Sequence, residues 1–214
     1  MSDLRTEVIR EITKKSDRDK QRRVGPSEIG NPCDKCLGRA LMDERPEQSF
    51  SLFPWIGTAV HFFMEQNTFK DCEHELRLWV GDVRGYGPIK GTTDMVYVDE
   101  DGKIVVVDWK IVGLKKLKQY RTSGVSEQYR FQAMTYGRGL ELAGRTPDRV
   151  AIVFIPRDSG NVKDIWVHEE QYQPEMAEAA LERAAGIYEW LQGEGNHWRD
   201  LEEDYGCYQC NFIF

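Results

Sequence analysis

The stretch from Gly91 to Lys110, GTTDMVYVDEDGKIVVVDWK, constrains the fold more than any other part of the sequence. Two apolar runs, residues 89–98 and 103–109, flank the tetrapeptide Asp99-Glu100-Asp101-Gly102, whose turn chemistry predicts a β-hairpin. Pairing sets the start of one strand against the end of the other and brings Asp94 near Asp108. Asp108 and Lys110 share side-chain parity and point to one face. Two carboxylates that close repel unless a cation sits between them, and a hard divalent ion with oxygen ligands suits the pair. Lys110 is then placed to hold a phosphate oxygen or orient an attacking water, while a bound metal lowers the water's pKa. Gly91 leaves room for a backbone or ligand to come close.

The rest of the chain reads as a mixed series. Leu4, Val8, Ile9 and Ile12 have helical spacing within residues 3–15. Residues 27–30 form a turn or helix start, and residues 37–43 a short helix. Residues 54–69 read as a helix with Trp55, Ala59, Phe62, Phe63 and Phe69 on its apolar side. Strands are predicted over 75–80, 89–98, 103–109, 149–156 and 163–168, and helices over 126–143 and 174–192. The order predicts an α/β fold, a central mixed β-sheet flanked by helices.

With 214 residues the chain fits one unit, residues 1–214. No apolar run approaches membrane-spanning length, and the charged start MSDLRTEVIREITKK is unlike a secretory leader, so a cytoplasmic location without a membrane partner is expected. The net charge of −7 argues against non-specific coating of nucleic acid. Local basic stretches at residues 14–23 and 115–121 still offer phosphate contacts.

Further spacings line up with the hairpin. Gly57 and His61 form G-x-x-x-H on the helix, Gly91 and Asp94 form G-x-x-D, Asp108 and Lys110 form D-x-K, and Gln132 and Tyr136 form Q-x-x-x-Y, one helical turn apart. This ordered set resembles the PD-(D/E)xK nuclease superfamily, and within it the RecB-type branch of CRISPR-adaptation nucleases and phage exonucleases. The resemblance covers roughly residues 30–214. It implies a restriction-endonuclease-like core and a DNA substrate. It also implies Mg²⁺ or Mn²⁺ held by His61, Asp94, Asp108 and the Trp109 backbone carbonyl. Lys110 is then the catalytic lysine, and Gln132 and Tyr136 support the site or contact DNA. Glu75 joins the acidic cluster as a further member. Exonuclease action in recombination, repair or end processing is the expectation. An end-processing or nucleic-acid-binding subunit with little catalysis of its own, working with a recombination or integration partner, stays open, as does self-association.

Two C-x-x-C pairs, Cys33 with Cys36 and Cys207 with Cys210, lie far apart in the chain. Four thiolates suit zinc or an iron–sulfur cluster. The resemblance implies a [4Fe-4S] cluster, with Zn²⁺ as the alternative. The branch commonly has one N-terminal and three C-terminal cysteines, whereas this chain has two and two. The expected organisation is a catalytic core over 37–203, with 27–36 and 204–214 joined as a staple. Residues 193–204 hold little apolar content, so docking of the tail is expected to depend on the metal. Cys72 is expected to bind none.

Overall fold

The computed structural model describes residues 3–14, 23–45, 50–204, 207 and 210. Most of the basic stretch at 14–23 lies outside the described residues. Helices α1 (Leu4–Ile12), α2 (Pro26–Ile29), α3 (Asp34–Leu41) and α4 (Leu52–Asn67) precede a hairpin pair, β1 (Glu73–Val83), β2 (Gly87–Val98) and β3 (Ile104–Val112). Then come α5 (Leu114–Ser123), α6 (Glu127–Leu142), β4 (Arg149–Pro156), β5 (Trp166–Gln171) and α7 (Pro174–Leu191). The sheet runs β1-β2-β3-β4-β5. All neighbours are antiparallel except β3 and β4. A parallel pair needs a long crossover, and α5 with α6 supplies it.

The central hairpin turns at the expected place. The Asp99 side chain accepts the backbone N–H groups of Asp101 (3.0 Å) and Lys103 (2.8 Å), while Gly102 takes a φ of 78° that favours glycine. From Val105 to Trp109 every residue of β3 is buried, as befits a central strand covered on both faces. Val96 and Val106 belong to the larger core formed with α6 and α7. Met95, Val105, Val107 and Trp109 belong to a smaller core on the opposite face.

Several expectations need correction. Helix α5 falls where only a basic stretch had been read. Leu117 and Tyr120 are buried in it, so its Leu114, Leu117, Tyr120 spacing is a core stripe beneath exposed lysines. The last strand lies at Trp166–Gln171, because residues Val162–Asp164 form a 3-10 turn closed by the Asn161 side chain. The largest difference is in α4. Trp55 is 46%, Phe62 64% and Phe63 59% exposed, and no α4 residue is fully buried. The side turned inward carries Ile56, Gly57, Val60, His61 and Met64 instead. The tail also docks more firmly than its composition implied. Trp198 is buried and donates its indole N–H to Glu44 (2.7 Å), and Leu201 packs against the larger core.

Candidate active site and cysteine knot

The register of the sheet builds the acidic cluster. Met95 pairs with Val107 and Val96 with Val106, so one step further Asp94 falls opposite Asp108. On the other side, His74 pairs with Met95 and Leu76 with Thr93, which sets Glu75 across from Asp94. Glu75 has a φ of 49°, a conformation that side-chain-bearing residues seldom adopt. It interrupts the ladder there. Ligand atoms of His61, Glu75 and Asp94 lie within 4.8 Å of one another.

Asp94 is held from two sides. Its Oδ1 is 2.9 Å from His61 Nδ1, and its Oδ2 accepts the Trp109 N–H at 2.6 Å. Burial disfavours a charged His61 ring, yet the hydrogen bond and charge of Asp94 raise its pKa overall. Asp108 is 3% exposed, and Lys110 Nζ lies 2.5 Å from its Oδ2. Among the described residues, no hydrogen-bond donor other than this ammonium reaches Oδ2. Burial drives the Asp108 pKa up to about 6 against the lysine's opposing charge, with Asp94 adding repulsion. A buried carboxylate with a lysine as its one close cation, beside a second carboxylate and an imidazole, is a donor set that fits a divalent cation.

Beneath the cluster, Gln132 donates to the Tyr136 hydroxyl at 3.2 Å, and both residues are buried. Desolvation, then the Asp108 charge, pushes the Tyr136 phenol up, so it stays protonated. Gly91 makes this packing possible. A Cβ there would lie 2.5 Å from Pro26 Cγ and 2.9 Å from Tyr136 Cε1. Tyr129, outside the spaced motifs, also belongs to the site, with its ring 5.0 Å under Lys110 Nζ. Its signal was available, since Tyr129, Gln132 and Tyr136 share one helical face.

The four paired cysteines meet at the other end of the molecule's helical layer. Cys33 Sγ lies 3.5 Å from Cys210 Sγ, and Cys36 Sγ lies 3.5 Å from Cys207 and 3.4 Å from Cys210. All four fall within 4.8 Å. Burial, with the neighbouring thiols adding to it, raises Cys36, and burial likewise raises Cys210 to about 12. An ion entering the knot must therefore displace protons. An all-thiolate set of four fits zinc or iron–sulfur chemistry. Cys72 lies apart, among residues packed against the smaller core.

A mixed sheet bearing two carboxylates and a lysine on its central strands, with an imidazole beside them, fits metal-assisted hydrolysis. The chain belongs to the PD-(D/E)XK nuclease superfamily, whose family model matches residues 55–213. Its fold is similar to that of an alkaline exonuclease from Laribacter hongkongensis, with 9% identity and a TM-score of 0.52 over 80% of this chain and 88% of that one. The same exonuclease in complex with dAMP gives a TM-score of 0.53 at the same identity and coverage. The protein SSO0001 is similar with 16% identity and a TM-score of 0.56, covering 89% of this chain and 85% of that one. A comparison with curated proteins found no match. Among the described residues, no helix is long and apolar enough to cross a membrane.

Proposed function

We propose that the protein hydrolyses phosphodiester bonds in DNA with Mg²⁺ or Mn²⁺, acting from ends as an exonuclease in the cytoplasm during recombination, repair or end processing. The observation that carries this is the register-enforced pair of buried carboxylates, Asp94 and Asp108, beside His61 and Lys110. In this reading His61, Asp94, Asp108 and the Trp109 carbonyl hold the cation, with Glu75 as a further acidic group. A bound cation supplies charge neutralisation and an acidified water. The rest is the chain's own work. Lys110, braced between Asp108 and the Tyr129 ring, faces the phosphate and stabilises charge as it develops there. The Trp109 N–H fixes the Asp94 carboxylate. Gln132 and Tyr136 are buried, which supports a bracing role over contact with DNA.

The organisation proposed is one nuclease unit, with residues 37–203 as core and 27–36 stapled to 204–214. For the knot, the thiol separations favour one reading. A single zinc with Zn–S bonds of about 2.3 Å sets its sulfurs about 3.8 Å apart, close to the separations seen. A [4Fe-4S] cluster, the group implied by the resemblance, binds each thiolate to a different iron and spreads the sulfurs wider. We therefore favour Zn²⁺. Metal analysis and absorption spectra after anaerobic purification decide it: about one zinc and no colour supports the ion, whereas about four irons with a brown chromophore overturns it.

Incubating end-labelled linear and covalently closed circular DNA with Mg²⁺ or Mn²⁺ tests the main reading. Progressive shortening of the linear DNA that is lost in Asp108→Ala is expected. Equal nicking of the circle indicates an endonuclease. No cleavage of either supports the alternative, an end-processing or binding subunit that needs a recombination or integration partner.

A further inference from the structure

A pocket of about 310 Å³ adjoins the acidic cluster and shares His61 and Lys110 with it. Its other walls include three aromatic residues, Phe53 at the start of α4, Trp109 of β3 and Tyr129 of α6. Phe53 is 60% exposed. An aromatic ring left that open beside a polar site has one face to offer, the other being covered by Arg157. Cations frame it. The Arg157 guanidinium lies 4.0 Å over the Phe53 ring, and Lys110 lies over Tyr129. Lys115, Lys116 and Lys118 project to solvent from α5, directly after β3. In a chain of net charge −7, this is a concentrated basic strip next to an aromatic slot.

Aromatic faces and cations arranged together match one chemistry, an unpaired nucleobase stacked on a ring with its phosphates against lysine and arginine. Bases inside a duplex hide their faces in the helical stack, whereas an unpaired nucleotide exposes them. Because His61 and Lys110 border both the metal cluster and the pocket, the nucleoside flanking the reacting phosphate is the one that reaches the rings. Resting on the nuclease reading above, we propose that this pocket is a base-stacking subsite and that the enzyme takes single-stranded DNA ends in preference to blunt duplex. Phe53 is the specificity-determining residue, and Arg157 holds its ring and the adjoining phosphate.

The experiment measures binding and cleavage separately. In the Asp108→Ala background, anisotropy of a labelled single-stranded oligonucleotide reports binding without turnover. Adding Phe53→Ala should weaken that binding about five- to one-hundred-fold, the range of one lost base–aromatic stack. Phe53→Trp should restore it, and an abasic terminal nucleotide should bind as weakly to the unaltered pocket as normal DNA does to Phe53→Ala. In the active enzyme, Phe53→Ala should raise KM for the single strand more than it lowers kcat. Phe62→Ala, on the outward side of α4, should leave binding unchanged. Equal affinity for single-stranded and blunt duplex DNA overturns the proposal, as does no effect of Phe53→Ala in a folded protein. An equal loss from Phe62→Ala overturns it too, and marks the exposed side of α4 as a general DNA-contacting face. Failure of the wild type to cleave any DNA sinks the nuclease reading alone, since the binding series still decides the subsite.

Discussion

The acidic cluster and the cysteine knot both gather metal-binding side chains, but the chain assembles them in opposite ways. Asp94 and Asp108 face each other because β2 and β3 pair in one register, and burial on both faces of β3 fixes that register. The carboxylates would meet whether or not a cation arrived. The knot draws Cys33 and Cys36 from the first turn of α3 and Cys207 and Cys210 from beyond α7. Among the described residues no strand ladder joins these segments, and the Lys35 N–H to Glu202 carbonyl bond (3.0 Å) and the packing of Leu201 bring them only to the threshold. The first site is preorganised by the fold, whereas the second finishes the fold.

That contrast can be broken most decisively at the sheet. Asp108→Ala and Lys110→Ala should each lower the cleavage rate by about 10³-fold or more, with thermal unfolding little changed in Asp108→Ala, which removes a buried carboxylate, and lowered in Lys110→Ala, which leaves Asp108 buried without its counter-charge. Unfolding of either variant would mean the cluster is structural. At the knot the order should invert. Cys207→Ser should cost about 2–4 kcal/mol of stability, as for a lost crosslink closing a long loop, while the remaining folded fraction still cleaves. Strong chelators sharpen the same point. They should abolish cleavage reversibly at the sheet but lower the melting temperature through the knot, and calorimetry with metal add-back separates the two.

Smaller effects follow at the edges of each site. His61→Ala should weaken Mn²⁺ affinity about 10- to 100-fold, read by titration, with little loss of stability. The reason is not the one the aromatic pattern suggested. Trp55, Ala59 and Phe62 do not pack, and His61 sits on the only partly buried inward side of α4. Gly91→Ala should destabilise by about 1–3 kcal/mol, because the new Cβ meets Pro26 and Tyr136. Least of all, Arg130→Met should cost about 1 kcal/mol near neutrality. Arg130 makes two 2.7 Å bonds to Glu170 and depresses that carboxyl's pKa below 4.5. A depressed carboxylate stabilises the fold above its unfolded pKa and ceases to as pH falls through the folded one. The gap between variant and wild type should therefore close in acid, as melting curves across pH 3–7 (a window of roughly that width) would reveal.

The central hairpin and its acids were legible because alternation, turn residues and parity are local properties. The knot was legible as a pairing of C-x-x-C units, a chemical rather than a conformational signal. What escaped was the environment of each face. Helix α4 carries apolar residues around most of its circumference, so periodicity alone does not say which side meets the sheet, and the bulkiest residues pointed outward. Helix α5 was hidden by its lysines, although Leu114, Leu117 and Tyr120 carried the period. Glu75 lies where sequence expected an acid, but its positive φ arises from the interrupted ladder, which no single-strand pattern encodes. Arg157 and Phe53 are 104 positions apart in the sequence, and only the fold brings them into contact.

Cys33 and Cys36 precede every strand of the sheet in the chain, and Cys207 and Cys210 follow every one. During synthesis the knot therefore has no second half until the whole sheet has left the ribosome. Its closure joins the earliest folded segment to the latest across a span whose entropic cost grows only as the logarithm of length. A chain cut between the end of β5 and Cys207 still holds every acid of the cluster, yet it lacks the last tie. The knot thus reports that synthesis has passed Cys210, and a product ending between β5 and Cys207 should be distinguishable by its stability before any difference appears in its active site.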